Sequence, residues 1–350
     1  MAELLQKNEH NDEDQGLVQD LDPLGVLSST RNVVEQGEYV WIDMERVELL
    51  VQQWLRQQET AQENTTVPVW YDRYHFYDGT ERTANWILAL DALNFCFWGE
   101  RDQPRWQIDY EGEKLNGYLA EAAALKRAVE EKEEDIPLWD ATYLSTINEK
   151  DLAYIFRGEQ TIPLFAERLQ NLREVGTVLL EQFDGQFTHA IEQAGRSAVK
   201  LTLLLAKEFS SFNDVALYRN RFVRFFKRAQ ICVADLHGSF AGKSWGAFSD
   251  MDQLTAFADY KLPQVLRHFG ILEYSPSLAQ RIDAQALLEA GSEEEVELRA
   301  ATIWACELLR RSLARQGVRM TAAEIDLRLW LLGQNSAAMR PYHRTRTMYY

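Results

Sequence analysis

Cysteine is scarce, with three in 350 residues. Cys96, Cys232 and Cys306 each sit inside an apolar run, and no CxxC or His–Cys spacing suggests a metal site. Buried thiols in a reducing compartment are expected, with no disulfide framework and no metal. Long apolar runs are missing too. No stretch reaches the roughly 18 apolar residues that a membrane helix needs, and the N-terminus lacks a basic segment followed by an apolar one. A soluble, cytoplasmic protein with no membrane partner is the expectation. Positive charge is in deficit: 37 Lys and Arg against 54 Asp and Glu leave −17. That balance argues against diffuse binding to nucleic acid or to an anionic membrane, although a local basic patch can still hold one phosphate. No period of 20–50 residues recurs, which excludes a solenoid.

Hydrophobic residues make up 46% of the chain and include ten tryptophans, enough for a sizeable core. Residues 1–20 are polar and acidic and read as a disordered tail. Leu21–Leu27 is a short approach segment. Apolar positions at helical spacing predict helices over Asp43–Glu63, Thr80–Phe97, Tyr118–Glu133, Glu149–Arg157, Leu164–Phe183, Thr188–Ala194 and Ala198–Phe209. Further helices are expected at Leu278–Ala290, Glu294–Gln316 and Thr321–Leu332. One small hairpin is convincing, Gln107–Tyr110 and Lys114–Leu115 around Glu111-Gly112. The fold class is therefore all-α, mainly helical, and short connections favour a single compact domain over 21–350.

Arg221–Tyr274 is the densest part of this pattern and reads as three helices. Arg221–His237 is apolar nearly all round, as a helix in the middle of a domain would be. Its stripe of Arg224, Arg228 and Asp235 must then be paired or face a wet cavity. Ser249 and Asp252 resemble a capping box for a second helix carrying Met251, Leu254, Phe257 and Ala258 inward. Pro263 suits the first position of a third helix and Gly270 its C′ position. Asp259 is left at the junction between the two. It either caps the following helix or is an ionised acid at the wall of an apolar pocket.

Asp326 sits among Ile325, Leu327, Leu329 and Leu331, and an acid on so apolar a helix usually has a partner. Trp330, four residues on, shares its face and by itself reads as core filler. Val67–Tyr77 is unusually aromatic, and His75 within it reads as a packed core histidine on the residues alone. The basic, aromatic tail Arg340–Tyr350 reads in isolation as a frayed terminus.

The segments FFKRAQICVADL, LTAFADYKLPQVLRHFGIL and PYHRTRTMYY resemble the queuosine salvage protein family, the queuosine 5′-phosphate N-glycosylase/hydrolases. DALNFCFWGE and RGEQTIPLFAERLQNLREVG are similar to it as well, so the likeness covers residues 25–350. The resemblance implies a hydrolase that releases queuine from queuosine 5′-phosphate for reuse in tRNA modification, without itself binding nucleic acid. An all-helical domain with an acid at a helix–helix junction also resembles the DNA glycosylase architecture. The family resemblance also implies catalysis by Asp259, in the FAD-Y motif, with Phe257 and Ala258 lining the base pocket. His75 corresponds to a substrate-contacting histidine, and the tail to a segment docked near the pocket. Leu327 and Leu331 mark a departure. Animal members have an aromatic residue directly after the corresponding Asp and a further acid five residues on, so this chain's contacts to the cyclopentenediol arm differ.

The chemistry follows from the substrate. Breaking the N-glycosidic bond makes C1′ of the ribose oxocarbenium-like, and a fixed carboxylate stabilises that charge or attacks it to give a ribosyl ester. Queuine is a 7-deazaguanine with no N7 to protonate, so its departure must be assisted at another atom or by stronger stabilisation of the sugar cation. Asp326 fits as acceptor for the base N1–H and 2-amino group. Lys227, or His343 and Arg346 in the tail, would hold the 5′-phosphate. Neither a metal nor another cofactor is expected. Rival readings are a queuine-binding protein without turnover, a nucleic-acid glycosylase, which the net charge opposes, and an acidic helical scaffold. The scaffold does not suit polar residues clustered inside apolar helices.

Overall fold

The computed structural model describes residues 22–60, 73–131, 136–334 and 338–350. The expected tail at 1–20 lies outside them, as do 61–63 of the first expected helix, 67–72 of the aromatic stretch and 132–135 of the acidic run. In chain order the elements are α1 (Val26–Gln36), β1 (Val40–Ile42), α2 (Met44–Thr60) and α3 (Glu81–Asp91), then the hairpin β2 (Gln107–Tyr110) and β3 (Glu113–Asn116). Next come α4 (Gly117–Glu131), α5 (Ala141–Thr146), α6 (Glu149–Ile155), α7 (Phe165–Gln182), α8 (Phe187–Gln193) and α9 (Ala198–Glu208). A second hairpin, β4 (Val215–Tyr218) and β5 (Arg221–Arg224), leads into α10 (Lys227–Ser239). The remainder is α11 (Lys261–His268), β6 (Leu272–Tyr274), α12 (Pro276–Asp283), α13 (Glu293–Arg315) and α14 (Ala322–Gln334). Against three two-stranded sheets, these helices make the fold mainly helical.

The middle of the molecule belongs to α13. Ser292 caps it by accepting from the Glu295 N–H, and Glu293, Glu294 and Glu295 meet the positive end of its dipole. From Glu295 to Leu309 every residue is buried, and α13 packs on α1, α2, α11 and α14. The Trp304 indole N–H reaches Thr30 Oγ1 on α1 at 3.1 Å. One hydrophobic core runs through the described residues from Leu24 to Leu329.

The hairpin β2–β3 has the expected place and register, Tyr110 opposite Glu113, with Glu111 and Gly112 both at positive φ. Four of the expected helices are corrected: Leu278–Ala290 stops at Asp283, Thr80–Phe97 stops at Asp91, and two more change in kind. Arg221–His237 is not one helix: Arg221–Arg224 pairs with β4 across an Arg219-Asn220 turn, both residues at positive φ, and the helix begins at Lys227. The helix expected from Ser249 is a single turn at Met251–Gln253 followed by extended chain. Side chains take the N–H groups that a helix there would need, because Gln230 accepts from Thr255 N at 2.8 Å and Asp326 from Phe257 N at 2.7 Å. Asp250 is used elsewhere, binding the Ala198 N–H at the start of α9. α1, α5 and the pairing of β1 with β6 were not expected.

Helices α5 and α7 approach so closely that a Cβ at Gly176 would stand 2.1 Å from Ser145 N and 2.6 Å from Ala141 O. Gly176→Ala should therefore cost about 1–3 kcal/mol, the range for overpacking. The measurement is urea unfolding, with a lower midpoint and an unchanged slope. A midpoint equal to that of the parent protein would mean that the two helices yield without cost.

Candidate active site

The helix expected over Thr80–Phe97 ends at Asp91, and the reason builds the first wall of a cavity. Buried side chains take up the carbonyls that would continue the helix. Arg228 on α10 donates to Asp91 O at 3.1 Å and Ala92 O at 2.6 Å, and Asn171 on α7 donates to Ala92 O. Arg168, also on α7, donates to Leu93 O, Phe95 O and Cys96 O and pairs with Glu121 at 3.1 Å. Cationic groups at the negative end of a helix dipole are favourable, and here they also cap it. The loop they hold turns Asn94, Phe95 and Phe97 into a cavity of about 240 Å³.

The second wall starts at α10. Asp214 accepts the Lys227 N–H through Oδ2 and is held by Arg299 in a bidentate pair of 2.9 and 2.5 Å. Arg299 also donates from Nε to Ala258 O, at 3.1 Å, which fixes the backbone next to Asp259. Asp259 Oδ1 accepts the Lys261 and Leu262 N–H groups at 2.7 and 2.9 Å, capping α11. Pro263 sits in the first turn, where its missing N–H costs nothing, and Gly270 closes the helix at φ 75°. Among the described residues nothing donates to Asp259 Oδ2, and Asp259 lines the cavity. Capping and cavity placement therefore coexist in one side chain.

Tyr118 and Trp330, packed edge to face at 6.4 Å, form the third wall, and Tyr342 stacks on Tyr260 at 4.8 Å across from them. The last residue closes the cavity. Tyr350 accepts the Cys96 N–H through its carbonyl and donates from its hydroxyl to Glu295 at 2.8 Å. The tail is docked, as the resemblance implied.

Electrostatically, Lys227 in the cavity wall interacts with Asp259 beside it and with Asp326 behind. Desolvation holds the pKa of Asp259 above the usual carboxylate range, with the charge of Lys227 the largest opposing influence. Asp326 is raised well above the usual range by burial and then by the Asp259 charge, with the Phe257 N–H and Lys227 opposing. Lys227 is lowered by burial, with Asp259 the largest opposing influence. Its ammonium rests on Asn94 O at 3.1 Å. A lysine shared among acids in this way favours the ionised form of whichever acid faces it most closely.

Of the residues picked out by sequence, Asp259 and Lys227 line the cavity. Asp326 is buried one helical turn from the cavity-lining Trp330 and binds the backbone of Phe257. Phe257 and Ala258 are buried beside Asp259, while Leu327 and Leu331 are half-buried on α14. His75 is buried with Nε2 2.9 Å from Tyr118 Oη, so it meets the cavity through Tyr118. The structure does not bring His343 and Arg346 to the cavity lining. His343 is enclosed against Tyr350, its pKa pushed down to about 3 by burial and then by the charge of Arg299. Arg346 pairs with Glu100 over the Trp98 ring. The cations found there instead are Arg105 and Lys261, beside Tyr342. Sequence reasoning missed both, and missed Tyr118. Lys261 lies inside the LTAFADYKLPQVLRHFGIL segment that carries the resemblance, and Arg105 and Tyr118 had no local signal.

Among the described residues no helix is long and apolar enough to cross a membrane. A family profile described as queuosine salvage protein matches residues 74–350. The queuosine 5′-phosphate N-glycosylase/hydrolase of Sphaerobacter thermophilus is 52% identical over 330 residues, covering 94% of this chain and 98% of that protein. Its counterpart from Mus musculus is 34% identical over 342 residues, covering 94% and 99%. That of Bos taurus is 36% identical over 286 residues, covering 78% and 83%. With the profile match spanning well over half its length and these likenesses running through the segments that build the cavity, the chain belongs to the queuosine salvage protein family.

Proposed function

We propose that this protein hydrolyses the N-glycosidic bond of queuosine 5′-phosphate, releasing queuine and ribose 5-phosphate. The observation that carries the reading is Asp259. Its carboxylate is pinned through one oxygen by two backbone N–H groups, the other has no donor among the described residues, and the charge of Lys227 acts on the group. A carboxylate so held needs no reorganisation to meet the positive charge that develops on the ribose. A protein that merely sequestered the base would have no use for an acid in this position. Asp326 supports recognition of a guanine-like edge: its Oδ2 takes the Phe257 N–H, and its remaining lone pairs suit the base N1–H and 2-amino group. Arg105 and Lys261 suit the 5′-phosphate better than the tail residues do. Incubation with queuosine 5′-phosphate and detection of queuine by mass is the direct test, and absence of queuine at high enzyme concentration would refute the proposal.

Two predictions attach to this reading. The nucleoside lacking phosphate should react more slowly than the nucleotide, because remote binding energy can be used at the transition state. Arg105→Ala should narrow that gap by lowering kcat/KM for the nucleotide alone; equal kcat/KM for both substrates in the parent protein removes the phosphate site. Asp326→Asn keeps an acceptor for Phe257 but sets an amide against the donors of the base. Loss of one hydrogen bond to the base, with an unpaired donor left in its place, should lower queuine affinity and kcat/KM by about ten- to a hundredfold. Unchanged queuine binding by calorimetry would show that Asp326 serves only the Phe257 backbone.

A further inference from the structure

A second pair of acids lies behind the cavity, and the reading above does not use it. Asp91, the last residue of α3, is fully buried, with only Asn94 and the Cys232 thiol as weak donors beside its carboxyl and no ion pair among the described residues. Asp235 on α10 stands against it, half-buried. Two carboxylates this close and this buried are untenable with both ionised, but one proton between them satisfies both. Asp235 Oδ2 lies 3.1 Å from the Tyr118 hydroxyl, which lies 2.9 Å from His75 Nε2. Tyr118 reaches the cavity and meets Trp330, one helical turn beyond Asp326, so it stands on the side assigned above to the base.

We propose that Tyr118 is the proton donor to the departing base, and that the Asp91–Asp235 pair behind it stores the proton it passes on. This inference rests on the hydrolase reading. The hydroxyl has two settings. With Asp235 ionised, Tyr118 donates to Asp235 and accepts from His75 Nε2–H, and nothing points into the cavity. With the shared proton on Asp235, the carboxyl donates to the tyrosine oxygen and the hydroxyl hydrogen is free to turn to the substrate. As the bond from C1′ to the base nitrogen breaks, its electron pair stays with the base. The base takes the Tyr118 proton, and Tyr118 takes the proton of Asp235. Water then adds hydroxide to C1′, and its remaining proton restores the pair. Tyrosine is a weak acid here, raised further by burial and by the charges of Asp235 and Asp91, so it acts as a conduit and not as the source.

The groups facing the pair are Lys227 and Arg228 at the start of α10, Cys232 one turn on, Glu121 and Tyr118 on α4, and His75 through Tyr118. Burial raises both carboxyls, Asp235 further raises Asp91, and Lys227 opposes both. The proton is therefore present at low pH and lost as pH rises through the elevated value, and kcat should fall on the alkaline side.

The experiment compares two substrates that differ in their need for a proton: queuosine 5′-phosphate and 4-nitrophenyl ribofuranoside 5′-phosphate, whose leaving group departs as a stable anion. Tyr118→Phe should lower kcat on the first by about a hundredfold, within the range for general acid catalysis, and on the second by less than about threefold. Asp235→Asn should show the same split and lose the alkaline limb of the pH profile. Equal losses on both substrates would mean that Tyr118 only shapes the cavity, and no loss on either would mean that it is idle. An alkaline limb retained in both Asp235→Asn and Asp91→Asn would also overturn the inference. If the parent protein cleaves neither substrate, the hydrolase reading itself fails, and this inference with it; if it cleaves both and the variants match it, only the proton path is lost.

Discussion

Asp259→Asn should lower kcat by about 10²-fold or more, the scale for removing a preorganised electrostatic group, while queuine still binds within about tenfold. The carboxylate charge acts chiefly when C1′ becomes positive, so its loss is felt in the transition state far more than in binding. The geometry makes this substitution a clean separation of two roles. Oδ1 caps α11 through the Lys261 and Leu262 N–H groups, and an asparagine oxygen does this nearly as well. Oδ2 has no donor among the described residues, and there the amide nitrogen replaces charge with a donor. The melting temperature should thus stay close to that of the parent protein while turnover collapses. If turnover also survived, Asp259 would be a helix cap and no more, and the FAD-Y motif would report packing. Measuring kcat and the thermal midpoint on the same preparation decides between them.

Arg299→Met should destabilise the protein by about 3–5 kcal/mol, the cost of removing one partner from a buried ion pair. Asp214 would then keep its carboxylate deep in the core with the Lys227 N–H as its one hydrogen-bond donor among the described residues. The Ala258 carbonyl would lose its donor as well. The consequences reach the site, because Asp214 fixes the start of α10 at Lys227 and Arg299 fixes the chain just before Asp259. Urea unfolding reads the stability loss, and Asp214→Asn added to Arg299→Met should recover part of it, since the stranded charge is the larger share. A single variant costing under about 1 kcal/mol would show that water or another cation can replace the guanidinium. Activity of any folded Arg299→Met protein should be low, because the acid and the lysine beside it are no longer held to a common anchor.

Much of the helical framework follows from spacing within one or two turns. The amphipathic runs of α2, α4, α6, α7, α9, α13 and α14 sit close to their expected limits. The Glu111-Gly112 turn and the Gly270 stop are equally local, since a residue at positive φ makes the same demand wherever it lies. Asp259 was legible as a junction acid because Pro263 bounds the next helix from the sequence side. What failed was the reading of continuous apolar runs. Phe222, Val223, Phe225 and Phe226 fit a buried helix, yet Phe222 lies exposed on a strand that Asn220 starts at positive φ.

By itself the sequence determined the helical class, the hairpin at 107–116, the family likeness and the candidate acid at Asp259, each from signals spanning a few residues or from whole matching segments. Only the tertiary structure decided where α3 ends, which cations face the cavity and which acids meet. Those outcomes are set by side chains far apart in the chain: Arg168 and Leu93 are 75 residues apart, Tyr118 and Asp235 117, and Arg228 and Asp91 137. Such a contact leaves no periodicity behind. A buried guanidinium can claim a helix's last carbonyls, and a buried acid can keep its proton, only after the core has closed around them and water has been excluded.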